Sequence, residues 1–112
     1  MNLTFDGTQL TCGETVWTLD RPIVAARLLN DCVFIVFDWM TYEPEYQPSN
    51  NLEAFDLDGN RLWVVTEHPV SGGACAYTQF GQSEDLIVGH FAGYDCQFDP
   101  ATGKLLKSVF TK

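Results

Sequence analysis

Phe55-Asp56-Leu57-Asp58-Gly59-Asn60-Arg61-Leu62 returns 43 positions later (residue 98 against residue 55) as Phe98-Asp99-Pro100-Ala101-Thr102-Gly103-Lys104-Leu105. Each copy reads Phe-Asp, four turn residues, a base and a Leu. Apolar runs ending in Asp, broken by a Gly turn and resumed as a second run, are the pattern of a β-hairpin. The Gly shifts by one place between the copies, so the two turns need not share a type.

Outward from this pair the strand pattern continues in both directions. Thr15 to Leu19 alternates, and Cys32 to Phe37 is a continuous apolar run of buried-strand length. Leu52–Phe55, Leu62–Thr66, Ala74–Phe80, Leu86–Phe91, Tyr94–Phe98 and Lys104–Phe110 follow the same logic. Ile23 to Leu29 reads as a strand, although Ala25-Ala26-Arg27-Leu28-Leu29 also suits a helix start. Leu19-Asp20-Arg21-Pro22-Ile23 resembles Thr66-Glu67-His68-Pro69-Val70, which extends the repeat. No segment carries a long capped helical period. The expectation is an all-β single domain over residues 1–112, made of two antiparallel blade-like sheets packed as a propeller-like or sandwich-like core. The repeat units fall at about residues 20–66 and 67–112, with residues 1–19 adding strands to the first sheet or capping it.

Ala54-Phe55-Asp56-Leu57-Asp58-Gly59-Asn60-Arg61-Leu62-Trp63 resembles the blade motif of PQQ-type, WD-like β-propeller repeats. Asp99-Pro100-Ala101-Thr102-Gly103-Lys104-Leu105-Leu106 resembles the same motif, and Val16-Trp17-Thr18-Leu19-Asp20 is similar to the closing strand of a preceding unit. The resemblance implies blade-like sheets. It does not imply the quinone cofactor, because two units do not form the central channel of a closed propeller of about 4–8 blades. Two units alone would leave apolar faces and edges uncovered, so either one shared core or homodimerisation must cover them.

The chain has 112 residues, 15 acids against 6 bases, a formal charge of −9 and 46% hydrophobic residues. Three of the bases, Lys104, Lys107 and Lys112, fall in the last nine residues. Such an acidic protein is repelled by nucleic acid and by anionic membrane surfaces, so neither is expected as a partner. The N-terminal Met1 to Asp6 has no signal-peptide pattern and no run approaches a membrane span, which points to the cytoplasm. In that compartment Cys12, Cys32, Cys75 and Cys96, with no CxxC pair, read as small buried residues.

Chemistry-bearing patterns are sparse. Asp56, Asp58, Asn60 and Glu67 have calcium-loop spacing, but Arg61 stands where that loop needs Gly, so a plain hairpin is expected. His68 and His90 lack a legible nucleophile or orienting acid. Cys75 after Ser71-Gly72-Gly73-Ala74 reads as a core residue, so no enzyme, metal or cofactor is expected. The outlier is residues 38–51, about ten residues longer than the matching connection after Phe91. It contributes the candidate partner-binding residues Asp38, Trp39, Tyr42, Glu43, Glu45 and Tyr46. Insertions in repeats map to loops on one face, often the binding face, and Trp and Tyr are favoured anchors. The alternative is a solvated loop whose aromatics fold back on the core.

These features suggest a small module that binds a basic protein, in its sharpest form an immunity-type inhibitor of a basic toxin such as a nuclease. A small-ligand or carbohydrate-binding module built on the aromatic loop, and a structural oligomer-forming domain, are the alternatives.

Overall fold

The computed structural model describes residues 2–38, 50–69 and 76–111. All regular structure among them is β-strand, in three antiparallel sheets. The first holds β1 (Leu3–Asp6), β2 (Gln9–Cys12) and β3 (Thr15–Thr18). The middle sheet runs in the order β4 (Ile23–Leu29), β5 (Cys32–Phe37), β6 (Leu52–Phe55) and β7 (Arg61–Val64). The third comprises β8 (Tyr77–Phe80), β9 (Leu86–His90), β10 (Tyr94–Phe98) and β11 (Leu105–Phe110). Every sheet is a simple up-and-down meander, and the first strands β1, β4 and β8 meet where successive sheets adjoin. No described helix is long and apolar enough to cross a membrane. No disulfide joins Cys12, Cys32 and Cys96.

The middle sheet is covered on both faces, which is why β5 carries an unbroken apolar run. Val33, Ile35 and Phe37 point one way, into a cluster with Leu10, Trp17, Ile23 and Phe55. Phe34 and Val36 point the other way, against Leu52, Tyr77, Leu86, Val88 and Phe98. Burying each such side chain stabilises the fold by roughly 1.5–3 kcal/mol, so β5 contributes apolar burial to both interfaces.

The antiparallel, sandwich-like all-β reading agrees with this architecture, but the sheet number is three rather than two. Residues 3–18 form a sheet of their own that packs on the face of the middle sheet, so of the two readings, added strands or a cap, the arrangement is the cap. The strands are short and rich in Thr, so β1 and β2 lack the apolar density that marks the others. Of the two ways to cover apolar faces, a shared core or homodimerisation, the described residues show the first for the middle sheet, whose two faces pack against the other sheets. The outward side of the first sheet presents Thr4, Asp6, Gln9, Thr11, Val16 and Thr18. That of the third presents Gln79, Ile87, Gly89, Asp95, Gln97, Lys107 and Val109.

The sheets are locked by a recurring contact. Trp17 on β3 lies over the Gly59 turn of the middle sheet, and Trp63 on β7 lies over the Gly103 turn of the third. Trp63 Nε1 also donates to the Pro100 carbonyl at 2.9 Å. Between the first and middle sheets, Glu53 on β6 is buried and accepts from Arg21 and Arg61, while the Arg21 guanidinium lies 4.1 Å from the centre of the Phe37 ring. On the other side of the middle sheet, the Arg27 guanidinium donates to the backbone carbonyls of Gly81, Ser83 and Asp85.

Candidate functional site

At one end of the stack β5, β7, β9 and β11 finish and β6, β8 and β10 begin. Asn51 joins the middle and third sheets there. Its Nδ2 donates to the Phe37 and Tyr77 carbonyls at 2.9 and 2.8 Å, and its Oδ1 accepts the Tyr77 amide at 2.9 Å. A buried amide with those partners extends the backbone ladder where no strand is available.

Across the third sheet, register places Tyr77 opposite His90, His90 opposite Tyr94, and Tyr94 opposite Phe110. The row passes from buried Tyr77 and His90 to an exposed Phe110 whose ring stands 5.2 Å from Tyr94. Phe91, just past β9, is equally exposed; each of the two phenylalanines retains 59% of its accessible surface.

The segment after β7 closes the buried part of the row. His68 stacks on Tyr77 with ring centres 5.1 Å apart and meets His90 edge-on at 5.4 Å. The Tyr77 hydroxyl donates to the Glu67 carbonyl at 2.7 Å, and Glu67 Oε2 accepts the Leu105 amide at 3.3 Å. Burial pushes the Tyr77 hydroxyl far up, and pushes the Cys96 thiol beside it up to about 11. Burial lowers both histidines; for His90, with His68 as a further cause, the value falls to about 4. Each imidazole is held toward its neutral form because a charged ring would lose hydration on burial.

The structure therefore joins two histidines that the sequence separates by 22 residues. It gives His68 an amide partner, Asn50 Oδ1 at 3.0 Å, rather than a carboxylate. Cys75 lies outside the described residues. Among the described residues no group of three metal-ligating side chains occurs. The calcium-loop spacing resolves into a hairpin turn: Asp56 Oδ1 accepts the Asp58 and Asn60 amides, both at 2.9 Å, and Oδ2 accepts Asn60 Nδ2 at 3.1 Å. These bonds, that of the Asn60 backbone first, hold the Asp56 carboxyl below its ordinary range.

Of the residues singled out from sequence, Asp38 is half-buried at this end, its amide donating to Pro22 O at 2.9 Å. Trp39, Tyr42, Glu43, Glu45 and Tyr46 lie outside the described residues. Asp38 and Asn50, which flank that stretch, both stand at the end that carries Phe91 and Phe110. Sequence reasoning placed Phe91 and Phe110 at strand ends and gave them no role. Asn51, read as loop, gave no sign of its bridging bonds.

The opposite end is made of tight turns, and it gathers carboxylates: Asp31, Asp56, Asp58, Glu84, Asp85 and Asp99. The cleft between the Asn30 turn and residues 82–85 contains Arg27, whose guanidinium is engaged by backbone carbonyls.

Fold and site together define a three-sheet β-domain whose described residues set exposed Phe91 and Phe110 at one end and carboxylate-bearing turns at the other. Residues 1–110 match the model of a family described as a domain of unknown function, DUF7957, and the chain belongs to that family. No curated protein and no solved structure matches it.

Proposed function

We propose that this domain binds a basic protein, with the aromatic end as contact face and the overall negative charge steering the encounter. The observation that carries the reading is the pair Phe91 and Phe110, both well exposed at the same end of the third sheet, Phe110 against Tyr94. Exposed aromatics grouped at one place are costly in water and are characteristic of interface anchors. The net charge of −9 raises the association rate with a cationic partner and penalises anionic ones. An inhibitor or immunity-type protein directed at a basic toxin such as a nuclease is the sharpest form of this reading, because a surface that attracts phosphate also attracts carboxylates.

The repeated Trp–Gly contacts support reading the middle and third sheets as propeller-blade-like units used here outside a closed ring. The test is affinity capture from the source organism with wild-type and F91S/F110S baits at low and high salt. The expected result is a strongly basic protein retained by wild type at low salt, and lost both on adding salt and with the double variant. Retention indifferent to both changes would contradict the proposal.

A further inference from the structure

The two histidines form a hydrogen-bond chain with a single direction. The Ala92 amide donates to His90 Nδ1 at 3.1 Å. A backbone N–H only donates, so Nδ1 carries no proton, and the proton of neutral His90 is on Nε2. That Nε2–H donates to His68 Nδ1 across 3.2 Å. His68 Nε2–H then donates to Asn50 Oδ1 at 3.0 Å. All four ring nitrogens have partners while both rings are neutral.

One more proton has two places to go. On His68 Nδ1 it confronts the His90 Nε2–H, donor against donor. On His90 Nδ1 it confronts the Ala92 N–H. Either way one bond of the chain breaks. Among the described residues no carboxylate is hydrogen-bonded to either ring. From its own segment Glu67 turns its carboxylate to the Leu105 amide. Tyr77 of β8 is neutral, with its hydroxyl on the Glu67 carbonyl. On β10 burial keeps the Cys96 thiol protonated, and Asp95 faces the outer side of the sheet. Asp38 follows the Phe37 carbonyl that Asn51 holds on the middle sheet.

We propose that the His68–His90 pair is a proton-operated latch that fastens the segment around Glu67 and His68 to the third sheet and releases it when the pair takes up one proton. Release uncovers Tyr77 and His90 next to Tyr94, and so enlarges the aromatic end of the molecule. Because it is a property of the chain alone, the latch stands or falls independently of the proposed partner.

The test is an amide and imidazole NMR titration of the whole chain from about pH 7.5 to about pH 4. Both imidazoles and the Ala92 amide should move together at one midpoint below the ordinary histidine range. The Leu105 amide, held by Glu67, should lose hydrogen-exchange protection in the same step. The Tyr77 amide, held by Asn51, should keep its protection. In H68F, which retains a ring on Tyr77 but no proton acceptor, the Leu105 change should shift to lower pH or disappear. The proposal is overturned if Ala92 and Leu105 hold their neutral-pH signals until the whole domain unfolds, or if H68F opens at the wild-type midpoint. Should H68F fail to fold, the wild-type titration alone decides.

Discussion

Gly103 has a φ of +77°, and a Cβ there would come within 2.5 Å of the Trp63 ring. Gly59, the counterpart one sheet earlier, has a φ of +88° and looser contact, 3.2 Å from Trp17. Both positions require glycine for the backbone, but only the first lacks room altogether. Gly103→Ala is expected to cost about 2–4 kcal/mol, and Gly59→Ala about 1–2 kcal/mol, read from urea midpoints. The two tryptophans differ likewise. Trp63 Nε1 has the Pro100 carbonyl, whereas Trp17 Nε1 is buried without a hydrogen-bond partner. Trp63→Phe should therefore destabilise more than Trp17→Phe, by about 1 kcal/mol.

His90 sets the pH response at the same scale. Its folded-state value, about 4, lies below the ordinary 6.5, so below pH 6.5 the unfolded chain takes up a proton that the folded chain refuses. Stability present above pH 6.5 is lost as pH falls toward 4, by up to about 3 kcal/mol. Urea unfolding at neutral and mildly acidic pH checks this: the midpoint should fall on acidification, and less so in His90→Phe.

At the scale of elements, β6 carries the least expected residue, a carboxylate between two sheets. Glu53 is 3% exposed and is paired with Arg21, which is itself largely buried over Phe37, and with Arg61. Removing the carboxylate takes the buried ionic partner from the largely buried Arg21 guanidinium and leaves it the exposed Asp20 carboxylate at 3.4 Å. Glu53→Ala is expected to cost about 3–5 kcal/mol, whereas Arg61→Ala, with a side chain 60% exposed at 3.4 Å, should cost under about 1 kcal/mol. Thermal unfolding of the two variants separates them.

The elements also show which parts of the fold were legible in the sequence. The unbroken run of β5 announced a strand covered on both faces, and the Phe-Asp repeats located the hairpins β6–β7 and β10–β11. The helix-compatible Ala25-Ala26-Arg27-Leu28-Leu29 became a strand because β5 offered a register to pair with. Within residues 1–19 only Thr15–Leu19 read as a definite strand, because Leu3, Phe5, Leu10 and Cys12 alone mark the inner face of β1 and β2. The site was far less legible. The His68–His90 contact, the Asn51 bridge and the Tyr77 row all depend on packing between sheets, which no local pattern records. Phe91 and Phe110 read as ordinary strand-end aromatics until their exposure was known.

For the molecule as a whole, the ends differ in chemistry. Turns at one end collect carboxylates, while the other end presents Phe91, Tyr94 and Phe110. Distributed negative charge governs approach, and aromatic contact governs residence. Neutralising acids on the turns, as in D56N/D58N, should slow association with a basic partner and weaken its salt dependence while changing dissociation little. F91S/F110S should do the reverse, accelerating dissociation. Surface plasmon resonance on the captured partner resolves the two rates.

The most direct measurement is amide hydrogen exchange of the domain with and without that basic partner. New protection is predicted at residues 90–94 and 108–111. Protection confined to the turns at residues 30–31, 56–60, 82–85 and 99–103 would place the contact at the acidic end and contradict the account.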